Sequence, residues 1–262
     1  MSSAESSSEG GPIVVAGCEP WSVAGGERGE VGALVLHGFT GCPQSMRPLA
    51  EAFAAAGYTV ELPLLPGHGT TVDDMITTGW ADWSAAAEAA YDDLAGRCEK
   101  VVVAGLSMGG TLTVWLASRH PEIAGIVCVN PALRVPDEMV DLIRQTLDGG
   151  VDRFPSIGGD VADPEARESA YDATPLAGLL SLADATTALR DDLRKVTSPL
   201  LLLTSPQDHV VPPSDSDELA AGVAGDVERL SLDRSYHVAT IDYDKDLING
   251  EAVAFANRVT AG

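Results

Sequence analysis

Apolar and polar positions along this 262-residue chain follow two periods that take turns. Short apolar runs predict strands at residues 32–37, 58–65, 100–107, 125–130, 199–204 and 227–232. Between them, apolar residues three and four apart predict helices at 46–56, 80–95, 108–119, 214–221 and 247–259. Leu200-Leu201-Leu202-Leu203 and Ile126-Val127-Cys128-Val129 are apolar at every position, the mark of strands covered on both faces. The stretch 80–95 is rich in Ala with acidic residues toward solvent, which favours a stable amphipathic helix. Such alternation predicts an α/β fold, a mostly parallel central sheet flanked by helices.

Between residues 133 and 193 the alternation stops. A helix with Pro136 in its first turn is expected, halted by Gly149-Gly150, with Met139, Leu142, Ile143 and Leu147 on one stripe. Pro155, Gly158-Gly159, Pro164 and Pro175 punctuate the rest of the segment, which reads as short helical pieces and loops. An insertion between two sheet strands predicts a helical cap over the carboxyl edge, where ligands bind. The domain organisation is therefore a single unit over 12–262, with its core at 12–132 and 194–262 and the cap at 133–193. The Ser/Glu/Gly-rich stretch 1–11 reads as a flexible tail.

Composition narrows the class. A hydrophobic share of 45% excludes a mainly disordered chain. No apolar run approaches the ~20 residues that cross a bilayer, so stable membrane insertion is not expected. With no secretory leader read, the expected compartment is the cytoplasm. Asp plus Glu total 39 against 16 Lys plus Arg, a formal charge of −23. That field repels nucleic acid and anionic membranes. It admits two readings, adaptation to high salt or a GC-rich genome combined with solubility. Cys18, Cys42, Cys98 and Cys128 show no Cys-x-x-Cys spacing, and no disulfide framework is expected. Cys128 reads as a small core residue and Cys42 as a candidate modifiable thiol.

The chemistry is concentrated in Gly105-Leu106-Ser107-Met108-Gly109-Gly110, placed between a predicted strand and a predicted helix. Strand, Gly-x-Ser-x-Gly, helix is the context of a nucleophile elbow. A serine hydroxyl needs a base, an orienting carboxylate and donors for the oxyanion. Of the five histidines, His37, His68, His120, His209 and His237, only His237 follows the last predicted strand. His68 and His120 read as structural. Asp208 lies just past the strand at 199–204, whereas Asp233, Asp242 and Asp244 end no strand. The order Ser107, Asp208, His237 is the Ser…Asp…His order of this chemistry. The backbone N–H groups of Met108 and of Phe39, in His37-Gly38-Phe39-Thr40-Gly41, are the expected oxyanion donors.

These residues, with Pro66-Gly67-His68-Gly69-Thr70, Asp208-His209-Val210-Val211-Pro212-Pro213 and Ser235-Tyr236-His237-Val238-Ala239-Thr240, resemble the α/β-hydrolase carboxylesterases, and within them the bacterial monoacylglycerol lipases. The resemblance implies an α/β-hydrolase fold with a helical cap. It implies a serine esterase that cleaves monoacylglycerols or similar small-molecule carboxylic esters through an acyl-enzyme, without metal or organic cofactor. Glu168-Ser169-Ala170-Tyr171-Asp172 looks like the cap segment that carries a carboxylate near the glycerol end, and Asp172 is the matching position. Met139, Ile143, Ile157 and Leu179 are the candidates for the acyl wall. A general short-chain carboxylesterase and a non-catalytic binding protein of the same fold are the alternatives.

Overall fold

β2 (Arg28–Leu36) lies inside the central sheet, and its last six residues are buried. The computed structural model describes residues 12–156 and 158–261. The tail at 1–11 and Ile157 lie outside the described residues. Chain order is β1 (Trp21–Val23), β2, α1 (Arg47–Ala55), β3 (Tyr58–Leu62), α2 (Val72–Ile76), α3 (Trp80–Ala95), β4 (Lys100–Leu106), α4 (Met108–Arg119) and β5 (Gly125–Val129). Then come α5 (Asp137–Asp148), β6 (Arg153–Pro155), β7 (Ala173–Pro175), α6 (Leu176–Asp192), β8 (Leu200–Thr204), α7 (Pro213–Gly222), β9 (Val227–Ser231) and α8 (Lys245–Thr260).

Among the described residues the main sheet runs β1-β3-β2-β4-β5-β8-β9. All its pairings are parallel except that of the edge strand β1 with β3. The period of two explains why the central strands are apolar throughout. Val101 and Val103 pack with Ile126, Cys128, Leu200 and Leu202 against the side carrying α3 and α4. Val102, Ala104 and Leu106 face the opposite side with Val127, Val129, Leu201 and Leu203, against α1 and α8. The parallel register Leu36↔Gly105 and Leu106↔Val129 brings the carboxyl ends of β2, β4 and β5 level. Loops leaving those ends therefore meet.

The segment between β5 and β8 differs from expectation. It holds a 17-residue helix, α6, and a small hairpin of β6 with β7, where short pieces and loops were expected. Leu176-Ala177-Gly178-Leu179-Leu180-Ser181-Leu182 is apolar at almost every step and so shows no helical period. Packing forms this helix: a Cβ on Gly178 would stand 3.2 Å from the Trp83 ring and 3.3 Å from the Phe39 ring. Glycine lets α6 settle on both aromatics.

Candidate active site

The elbow is built by close backbone approach. Ser107 takes φ 54° and ψ −118°, a conformation that costs energy for a non-glycine residue. A Cβ on Gly105 would stand 2.1 Å from the Gly109 carbonyl oxygen, and one on Gly109 would stand 2.1 Å from the Leu36 oxygen. Only glycine fits either place, and α4 is thereby drawn against β2 and β4. The strained turn presents the Ser107 side chain at the start of α4, where N–H groups have no helical partner.

The loops carrying Asp208 and His237, the candidate acid and base, converge on it. Asp208 Oδ2 lies 2.7 Å from His237 Nδ1, with both side chains nearly inaccessible. Oδ1 of Asp208 accepts the N–H groups of Val210 and Val211, each at 2.8 Å. These bonds fix the carboxylate and leave Nε2 as the free nitrogen of the imidazole. His237 and Ser107 line one small cavity of about 30 Å³ with Gly38, Phe39 and Glu168. Asn130, which sequence reasoning missed, joins the loops. Its side chain accepts Ser205 N–H at 2.7 Å and donates to the His237 carbonyl at 2.8 Å. Its φ of 44° at the end of β5 aims it there. An Asn before Pro at the end of a buried strand was the available signal.

The loop carrying Phe39, the candidate oxyanion donor, is pinned by His37. This residue is fully buried; its Nε2 accepts Leu65 N–H at 3.1 Å, so Nδ1 carries the proton given to Gly38 O at 3.0 Å. Burial lowers its pKa from 6.5 to about 4, so the ring stays neutral as a brace. His68 packs edge-on against His37 and Trp83 and its Nδ1 reaches the Pro66 carbonyl at 3.0 Å, the bracing role expected of it. The Phe39 ring stands on Trp83, with centroids 5.6 Å apart, and lines the cavity beside Ser107.

Cys42 corrects the expectation of a free thiol. It forms a disulfide with Cys18, Cα atoms 5.3 Å apart. Both residues are buried. The partner comes from a segment that runs beside Gly69, whose carbonyl accepts Val15 N–H at 2.7 Å. Sequence spacing does not show this route. The bond ties that segment to the loop carrying Phe39.

The cap residues divide. Asp172 is exposed, since the neighbouring Tyr171 turns inward to Gly67 and Thr70, so the expected carboxylate is not there. Glu168 takes its place: it lines the small cavity with Ser107 and His237, and its Oε2 accepts Gly159 N–H at 2.7 Å. Burial raises its pKa above the usual carboxylate value, opposed by that hydrogen bond. On the other side of Ser107 opens a cavity of about 670 Å³. Met139 and Leu179 line it, together with Phe154 and Val211, which were not anticipated. Ile143 does not line it but is fully buried, on a helix that packs against α6. Ile157 lies outside the described residues.

A family model described as "Serine aminopeptidase, S33" (Hydrolase_4) matches residues 31–244. The thermostable monoacylglycerol lipase of Bacillus sp. (strain H-257) is 46% identical over 244 residues, covering 92% of this chain and 95% of that one. A solved structure from "LipS and LipT, two metagenome-derived lipolytic enzymes" superposes with a TM-score of 0.89 at 42% identity, covering 94% of this chain and all of that one. The Paleococcus ferrophilus monoacylglycerol lipase, at 20% identity, has a TM-score of 0.72 over 92% of this chain and all of its own, and shares the fold.

Proposed function

We propose, because the chain belongs to the Hydrolase_4 (serine aminopeptidase, S33) family and is a serine hydrolase of carboxylic esters, that its substrate is a monoacylglycerol. The reading is carried by one observation. Ser107 lines both a large, mostly apolar cavity and a small one that Glu168 also lines. An ester straddling Ser107 puts its fatty chain in the first and points a glycerol hydroxyl at the mouth of the second, which has room for about one water and must widen to admit more. A carboxyl whose burial favours the neutral form suits uncharged hydroxyls better than the ammonium of a peptide terminus.

His237 Nε2 takes the Ser107 proton as Oγ attacks the ester carbonyl carbon. The oxyanion is held by the N–H groups of Phe39 and Met108, two donors preset before charge develops. Asp208 keeps the proton on Nδ1 and stabilises the imidazolium. Collapse breaks the bond to the alcohol oxygen, and His237 protonates the leaving glycerol. Water then attacks the acyl-enzyme, gives its proton to His237, and fatty acid leaves with Ser107 restored. The residues of 133–193 act in this proposal as the cap over the site.

No helix among the described residues is long and apolar enough to cross a membrane. The cytoplasmic placement is likewise a proposal. Cys18 and Cys42 are 2% and 1% exposed, so thiols of a reducing compartment do not reach their bond. Titration of protein denatured straight from its native cells is expected to find two free thiols, Cys98 and Cys128.

The functional test is labelling with a fluorophosphonate, then turnover of monoacylglycerols of graded length. Labelling that is lost in Ser107→Ala, with kcat down about 10⁴-fold or more, supports the roles given to the site. Near-normal turnover by that variant refutes the nucleophile. Cleavage of acetyl esters with no glycerol released from monoacylglycerols refutes the substrate.

A further inference from the structure

We infer that Asp160 is a positioning residue for the reaction, a clamp by which the cap segment sets the acid and base loops in register. The inference rests on the triad roles proposed above. Asp160 lies on the strand-free stretch after β6, far along the chain from both loops, yet it meets each of them. Its Oδ2 accepts the N–H of His209 at 3.1 Å and the N–H of His237 at 3.1 Å. Its Oδ1 lies 2.8 Å from His209 Nδ1. Its carbonyl accepts Val238 N–H at 3.0 Å. His209 directly succeeds the acid Asp208, and His237 is the base. One carboxylate oxygen thus holds the backbone of His237 and of His209, the residue directly after Asp208.

A reciprocal tie makes the clamp stiff. Asp242, fully buried five residues past His237, accepts the N–H groups of Ala162 at 2.7 Å and Asp163 at 2.9 Å, and that of Tyr236 at 3.0 Å. The cap segment therefore donates to the base loop and accepts from it within four residues. A displacement of about 1 Å in a catalytic group costs roughly 10²-fold in rate. Losing the shared oxygen frees both loops by such amounts. The side chain of Asp160 is 16% exposed, so water replaces the missing acceptor poorly.

The pattern of bonds dictates the variants. Asn at 160 keeps an oxygen for the two N–H groups, and its NH₂ donates to a neutral His209 Nδ1. Glu keeps the charge but carries the oxygens one methylene too far. With p-nitrophenyl butyrate, Asp160→Ala and Asp160→Glu are expected to lose about 10²-fold in kcat with KM within threefold. Asp160→Asn is expected to stay within threefold of wild type in kcat. Fluorophosphonate labelling rates should keep the same order while melting temperatures do not. Should Asp160→Ala fail to fold, Asp160→Glu against Asp160→Asn gives the same reading. Wild-type kcat in Asp160→Glu, or Asn as damaged as Glu, overturns the inference. A wild-type protein that neither turns over nor is labelled defeats the triad reading instead, and so is told apart.

Discussion

The two halves of the segment between β5 and β8 are held in opposite ways. Residues 158–172 are stitched to the core by polar bonds. The Gln44 side-chain amide donates to Arg167 O and accepts Ser169 N–H, each at 3.0 Å. Tyr171 reaches Gly67 and Thr70, Thr40 accepts Tyr171 N–H, and Asp160 and Asp242 close the far end. By contrast α5 is attached by little. Among its described residues only Ile143 is buried, while Met139 and Leu142 are 40% and 46% exposed. Its Arg144 pairs with Asp184 of α6 at 3.7 Å, a surface contact of small value. The side of the site carrying Glu168, proposed to meet the glycerol end, is thus the more firmly held, and the side under α5, proposed to meet the acyl chain, is the part that opens at lowest cost. That suits a substrate with one fixed polar end and one variable apolar end.

Breaking the firmly held side has the largest expected effects. Cys18→Ser removes the staple behind the Phe39 loop, a closed loop with a sequence separation of 24. It is expected to cost about 3 kcal/mol of stability by the chain-entropy model, read from denaturant unfolding. A variant that matches wild type in its unfolding midpoint would show the staple to be idle.

Glu168→Ala separates the two sides by substrate. Loss of a hydrogen bond to a carboxyl is worth about 1.5–3 kcal/mol. Hence kcat/KM on a monoacylglycerol should fall roughly 10- to 100-fold, while that on a plain ethyl ester of the same acid barely moves. Equal losses on both esters would remove glycerol recognition from this residue. The same group sharpens the comparison through pH. Its folded pKa is raised by burial, so the folded state holds the proton more tightly than the unfolded chain. The contribution is fully favourable below the unfolded value of 4.5 and is lost as pH rises through the folded pKa. Glu168→Gln is therefore expected to raise the melting temperature at pH 7 and not at pH 4.

On the adaptable side the effects are small. Met139→Ala trims the cavity wall at an exposed position, so stability should change by less than about 0.5 kcal/mol. Its signature is a severalfold shift in preferred acyl length. A large loss of stability would show α5 to be an integral part of the core.

The sequence made the sheet and the elbow legible because their signals are local. Runs apolar at every step mark buried strands, and Gly105 and Gly109 flank Ser107 for steric reasons visible in the motif itself. Asp208 and His237 were found because chain order and strand ends place them, and the 2.7 Å contact joins them. The cap carboxylate assigned to Asp172 is exposed, and Glu168, four residues earlier, is the one that lines the cavity beside Ser107. Which way residues face in an irregular strand-free stretch is decided by distant partners, such as Gly41 beside the Glu168 carboxyl and Gly67 and Thr70 on Tyr171. The Cys18–Cys42 bond and the clamp at Asp160 were illegible for the same reason, since each joins segments with no shared periodicity. α6 was missed because its first turns are apolar at nearly every step and its exposed face includes Ala177 and Ala188, so its sequence lacks an amphipathic period.

The most direct test is a crystal structure of the covalent adduct formed with a dodecyl phosphonate carrying a glycerol-like ester arm. The account predicts phosphorus on Ser107 Oγ, an oxygen between the N–H groups of Phe39 and Met108, the dodecyl chain against Met139, Phe154 and Leu179, and the glycerol arm on Glu168. A dodecyl chain lying outside that cavity, or a glycerol arm turned away from Glu168, would contradict it.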